Sequence, residues 1–201
     1  MTWLLVPVAY LVGSVQWGLY VVRWTKRIDI RTVGSGKTGT TNVLRTAGKG
    51  AAVLVLAMDA AKGLAMVVVA RLLSDDPWVH AAVATAAVAG HIWPVLAGFK
   101  GGRGIATGLG ATAGLGWLGP AIGLCVFIPL VALTRYVSLG SVLGVATVIA
   151  SYGVLTAWAD VPVAYFIYTA VTGGLIIVMH RDNIRRLLAG TERRIGRRVV
   201  E

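Results

Sequence analysis

Long apolar stretches separated by short polar ones run through the whole chain. A helix needs about 20 apolar residues to cross the hydrocarbon layer of a bilayer. Residues 3–22, 51–70, 78–97 and 139–158 reach or approach that length, and 161–179 makes a fifth stretch. Residues 105–133 are equally apolar but are interrupted by Gly114, Gly116, Gly119 and Pro120, which predicts two short spans rather than one. The pattern therefore predicts an all-α, polytopic integral membrane protein with seven transmembrane helices. No repeat and no linker divides it, so 1–201 reads as a single membrane domain with a juxtamembrane tail at about 180–201. Residues 185–201 are too charged to span and predict a short helix at the membrane surface.

Composition agrees: 57% of residues are hydrophobic and only 13% charged, which excludes an ordinary soluble domain. The net charge of +11 does not point to nucleic acid, because zinc spacings, recognition-helix patterns and basic-aromatic platforms are all missing from the sequence. Its placement says more than its size. Seven cations fall in 23–49, then come Lys100 and Arg103, then Arg135, then seven more in 181–198, together seventeen of the nineteen. The alternate connections carry Asp75, Asp76 and Asp160 instead. Lys and Arg near span ends are retained on the cytoplasmic side. Seven crossings put all four basic segments on one side and predict the N-terminus outside and the C-terminus cytoplasmic; six would split them. The first apolar run has no basic segment before it, so it reads as a retained first helix. The single cysteine, Cys125, lies in an apolar run and is expected to face lipid or pack, without disulfide or metal.

Three inward segments carry candidate chemistry. The first, Gly34-Ser35-Gly36-Lys37-Thr38-Gly39-Thr40-Thr41-Asn42 with Arg45 after it, combines glycines, hydroxyls and a guanidinium, a composition suited to binding phosphate. It is no P-loop, since Arg31 stands where that motif needs glycine. The second runs from His91 and Pro94 through Phe99-Lys100-Gly101-Gly102-Arg103-Gly104 into an apolar run, a basic turn opening into a helix start where an anion can sit. The third is His180-Arg181-Asp182-Asn183, with Arg186 continuing the row, so that His180 and Asn183 share a helix face. Within the second span, Asp59 and Lys62 are spaced as an ion pair. Intramembrane charges of this kind face the protein interior and serve packing or the site.

Together these residues resemble the acyl-phosphate-dependent glycerol-3-phosphate acyltransferases of bacterial cytoplasmic membranes. The resemblance rests on the Gly-Ser-Gly loop with Asn42 and Arg45, Asp59-x-x-Lys62-Gly63, Gly90-His91 with Pro94, Phe99-Lys100-Gly101-Gly102, the run from Thr134 to Leu139, and His180-x-x-Asn183. It covers nearly the whole chain. It implies seven helices with an active site at the cytoplasmic face of the inner membrane, and transfer of an acyl group from acyl phosphate to the 1-hydroxyl of glycerol 3-phosphate. The chain departs from the family pattern in its loop, where Lys37, Thr38 and Thr40 replace Asn, Pro and Ala. Arg103 replaces a lysine, and Val15-Gln16-Trp17 replaces Ile-Pro-Phe.

An acyl phosphate is already activated, so neither a cofactor nor a metal is expected, and positioning with charge neutralisation suffices. On this reading Arg45, Lys100 and Arg103 neutralise phosphates, helped by the backbone of Gly34, Gly36, Gly101 and Gly102 and by Thr41 and Asn42. Ser35, His180 and Asn183 are the catalytic candidates, and Asp59, Lys62 and His91 support them. His180 or a substrate phosphate takes the hydroxyl proton. The His-x4-Asp signature of other acyltransferases is absent, since Thr85, Leu96 and Arg185 stand five residues after the three histidines. The expected partners are acyl phosphate, glycerol 3-phosphate and membrane lipids. The rival reading is a transporter of a phosphorylated solute.

Overall fold

The computed structural model describes residues 1–196, and all regular structure in them is helical. Ten α-helices follow one another among these residues: α1 Leu5–Gly13, α2 Trp17–Lys26, α3 Thr40–Ala47, α4 Lys49–Leu73, α5 Pro77–Ile92, α6 Ile105–Leu115, α7 Leu118–Thr134, α8 Val137–Trp158, α9 Val163–Met179 and α10 Arg181–Leu188. The chain divides into two compact units, Met1–Leu115 and the part from Gly116 onward.

Four stretches are long and apolar enough to cross a membrane: Thr2–Lys26, Lys49–Leu73, Pro77–Ala97 and Val137–Trp158. Val163–Met179 with Arg181–Leu188, bent by 57°, makes a fifth. The apolar region from 105 onward does break in two, at Gly116 and Trp117, into the shorter helices α6 and α7.

The first unit has an apolar core, with Val22, Ile30, Val43 and Val55 in one cluster and Val79, Val83 and Ala87 in another, yet it also leaves apolar side chains outside and buries charged ones. On α4, Val53, Leu54, Leu64 and Val68 are exposed while Asp59 and Lys62 are buried. Lipid offers helices no hydrophobic drive to associate, so close packing must supply it, and small residues allow that. A Cβ on Gly63 of α4 would collide with the Thr107 carbonyl of α6, and one on Gly110 with the Ala60 carbonyl. Gly13 and Gly90 bring α1 and α5 together in the same way. In the second unit, Gly119 sits against the Tyr152 ring and Gly123 against Val148, seating α7 on α8. Cys125, on α7, is exposed.

Two expectations need correction. The first span is not one continuous helix, because it breaks at Ser14–Gln16. In a regular helix the Val15 carbonyl would accept from Leu19. Here it accepts from Lys62 Nζ at 2.7 Å, and the Leu19 N–H turns to the Gln16 carbonyl at 3.0 Å. The terminal helix is also earlier than expected: α10 covers 181–188, and 191–194 have no regular structure. Arg197 and Arg198 of the expected surface helix lie outside the described residues.

Candidate functional site

In the first unit the loop between α2 and α3 is organised by one side chain. Asn42, buried in the first turn of α3, points its Nδ2 at the carbonyls of Lys37 (2.9 Å), Val33 (3.1 Å) and Ile30 (3.3 Å). Its Oδ1 accepts the Ser35 N–H at 3.1 Å. Gly34 has φ of 64° and lies so close to Asn42 Oδ1 that a Cβ would collide with it, so only glycine fits there. The amide thus folds the loop around itself. Ser35 is half-buried, and Thr41 and Arg45 share a face of α3 four residues apart. Upstream, Asp29 caps a short turn and grips the Arg31 guanidinium, whose Nη1 donates to the Ala97 carbonyl at 3.0 Å. The hydrogen bond from Arg31 holds the Asp29 carboxyl below its usual range.

The turn after α5 is built on His91. The Gly102 N–H donates to the His91 carbonyl at 3.1 Å, and Cβ atoms on Gly101 and Gly102 would collide with the His91 carbonyl and ring. Lys100 is exposed, Arg103 is half-buried, and α6 begins two residues on. Beneath the turn, Lys62 Nζ pairs with Asp59 Oδ1 at 2.8 Å, donates to the Val15 carbonyl at 2.7 Å and lies 3.0 Å from His91 Nδ1. All three side chains are at least nine-tenths buried. The ion pair read from the sequence is therefore a junction: it ties the α1–α2 break, α4 and the end of α5 together.

In the second unit, His180 occupies the bend between α9 and α10. Its Nδ1 lies 2.8 Å from the Ile176 carbonyl, which can only accept, so Nδ1 carries a proton and donates it there. Three residues on, Asn183 Nδ2 donates to Glu192 Oε1 at 2.7 Å. The same carboxylate accepts from Ser138 Oγ (2.9 Å) and from Arg186 Nε (2.7 Å). Asn183 Oδ1 is buried with no hydrogen-bond partner among the described residues. Burial pushes the Glu192 carboxyl up, but the bonds from Asn183, Arg186 and Ser138 outweigh it and hold the group below its usual range. The tail is pinned further by Ile195 N–H on the Arg135 carbonyl and by Arg194 over the Tyr136 ring. Sequence reasoning missed Glu192 and Ser138 as organisers of this cluster. The available signal was Glu192 itself, one of three acids in a tail, residues 180–201, that is rich in arginine.

The chain matches the glycerol-3-phosphate acyltransferase family model over residues 3–190. It is 44% identical over 198 residues to a glycerol-3-phosphate acyltransferase of Halalkalibacterium halodurans, covering 98% of this chain and 96% of the relative. It is 47% identical to one of Rubrobacter xylanophilus, with 97% and 96% covered. Among solved structures it resembles PlsY, an integral membrane glycerol 3-phosphate acyltransferase, in its glycerol 3-phosphate form. The TM-score is 0.90 at 38% identity, over 97% of this chain and 96% of that one. The lysophosphatidic acid form gives a TM-score of 0.87 at 36% identity, with 97% and 95% covered. The chain is an integral membrane protein and belongs to the glycerol-3-phosphate acyltransferase family.

Proposed function

We propose that this chain transfers a fatty acyl group from acyl phosphate to the 1-hydroxyl of glycerol 3-phosphate, giving lysophosphatidic acid and inorganic phosphate for phospholipid biosynthesis. One observation carries the reading: the match extends over nearly the whole chain to acyltransferases, one of them solved with each of these two ligand forms. In the reaction the acceptor oxygen attacks the acyl carbon, a C–O ester bond forms and the anhydride C–O bond breaks. The hydroxyl proton leaves to a phosphate oxygen, so no covalent acyl-enzyme is needed. In the first unit, Ser35, Thr41, Arg45, Lys100 and Arg103 would bind and neutralise phosphate. The backbone of Gly34, Gly36, Gly101 and Gly102 would add donors. Asn42 would act by shaping the loop, with Asp59, Lys62 and His91 supporting the turn. In the second unit, His180 Nε2 and the Asn183 Oδ1 would hold acceptor hydroxyls. Membrane lipid surrounds the protein.

The same reading takes the chain as seven crossings of the bacterial inner membrane, N-terminus out, with the basic segments and the chemistry on the cytoplasmic side. Cysteines placed at 75 and at 193 test it: an impermeant thiol reagent on intact cells should label the first alone. Labelling of both would favour six crossings. For the reaction, purified protein in detergent should form lysophosphatidic acid and phosphate from the two substrates without ATP. Folded protein that makes neither overturns the proposal, and preference for acyl-CoA or acyl carrier protein changes the donor.

A further inference from the structure

Between the two anion-binding segments of the first unit lies a side chain that the reading above leaves without a role. Gln16 is the residue at the α1–α2 break, 1% exposed, with its amide aimed both ways. Its Oε1 accepts from Thr38 Oγ1 at 2.6 Å, and Thr38, inside the Gly-Ser-Gly loop, is fully buried. Its Nε2 lies 3.3 Å from the His91 carbonyl, the same oxygen that receives the Gly102 N–H of the basic turn. A weaker contact runs to the Ser14 carbonyl at 3.4 Å. A single amide thus joins loop to turn through one bond on each side. The approach is tight: a Cβ on Gly18, the second residue of α2, would collide with the Thr38 carbonyl. Both residues stand where the family pattern has proline, a residue with no side-chain donor or acceptor. The departure at position 16 and the departure at position 38 are each other's partners.

We propose that Gln16 and Thr38 are a coupled pair of positioning residues that set the spacing between the loop bearing Ser35 and Arg45 and the turn bearing Lys100 and Arg103. The pair touches neither substrate. It acts by fixing where the two sets of phosphate donors stand, so its loss should weaken phosphate binding before it slows turnover. A buried hydroxyl or amide left without its partner costs stability, whereas removing both partners together costs much less. That asymmetry separates a coupled pair from two independent packing residues.

The inference rests on the acyl-transfer reading, and the experiment separates the two. Wild-type protein and the variants Thr38→Val, Thr38→Ser, Gln16→Met and Gln16→Met/Thr38→Val are assayed for KM of each substrate, for kcat and for thermal midpoint. Wild-type protein without turnover fails the acyl-transfer reading, and the pair is then judged by binding of glycerol 3-phosphate, followed through its thermal shift. With turnover present, Thr38→Val should raise one of the two KM values about tenfold with kcat within about threefold, and Thr38→Ser should stay near wild type. In the Gln16→Met background, adding Thr38→Val should change KM less than about twofold. Unchanged KM or thermal shift in folded Thr38→Val, or equal effects of Thr38→Val with and without Gln16, overturns the coupling.

Discussion

The loop around Asn42 and the cluster around Glu192 solve the same problem with opposite chemistry. Each gathers a polar segment around one buried side chain. In the first unit that side chain is a neutral amide, spread over three carbonyls and an N–H. In the second it is a carboxylate, receiving a hydroxyl, an amide and a guanidinium. An amide donates and accepts at once, so it can fold a backbone around itself. A carboxylate only accepts, so it gathers donors from other segments and depends on staying ionised. The first unit has a buried charge cluster too, the Asp59–Lys62–His91 junction, but it lies beneath the turn after α5, and the loop itself is organised by the neutral amide.

The largest break in this contrast is Lys62→Met, which strands Asp59 in the interior. A buried partner left alone costs about 3–5 kcal/mol. The thermal midpoint in detergent should fall sharply, and the double variant Asp59→Leu/Lys62→Met should recover most of the loss. Next is Asn42→Ala, which removes the loop's organiser while leaving the helices intact. Turnover should drop about 100-fold, about 2.7 kcal/mol in transition-state terms, with little change in thermal midpoint. A large fall in midpoint would show that the loop is part of the core. A smaller effect is expected for Glu192→Gln, which keeps the shape but turns a donor toward Arg186. A charged hydrogen bond of this kind is worth about 1.5–3 kcal/mol, and faster protease cleavage within 189–196 would report its loss.

The smallest effect is one of pH, and its sign follows from the depressed Glu192 value. Its stabilising contribution is complete above the ordinary carboxylate value of about 4.5 and is lost as pH falls through the lower folded value. Protease sensitivity of 189–196 should therefore rise only below the usual carboxylate range. The Asn42 amide has no proton to gain there. Asp29 beside Arg31 titrates in the same direction, but that pair is about a third exposed and solvent screens it. Tail release at near-neutral pH would mean that Glu192 is not what pins it.

Helix positions were legible because span length is set by lipid thickness, a constraint that acts on each segment alone. The break at residues 14–16 was not, because the donor that meets the freed Val15 carbonyl is Lys62, 47 residues away. The Asp59–Lys62 pair could be read from i, i+3 spacing, while its contact with His91 could not. Composition marked the loop as polar and glycine-rich. It gave no direction to Asn42, whose amide serves the loop backbone. Gln16 and Thr38 looked like separate departures because their partnership exists only in the fold.

The Lys62 contact with the Val15 carbonyl also makes the shape of the first span depend on the second. In lipid every carbonyl needs an internal donor, and the one at Val15 finds its donor on α4 instead of on its own helix. The break in the first span and the ammonium of the second are therefore one feature shared by two segments.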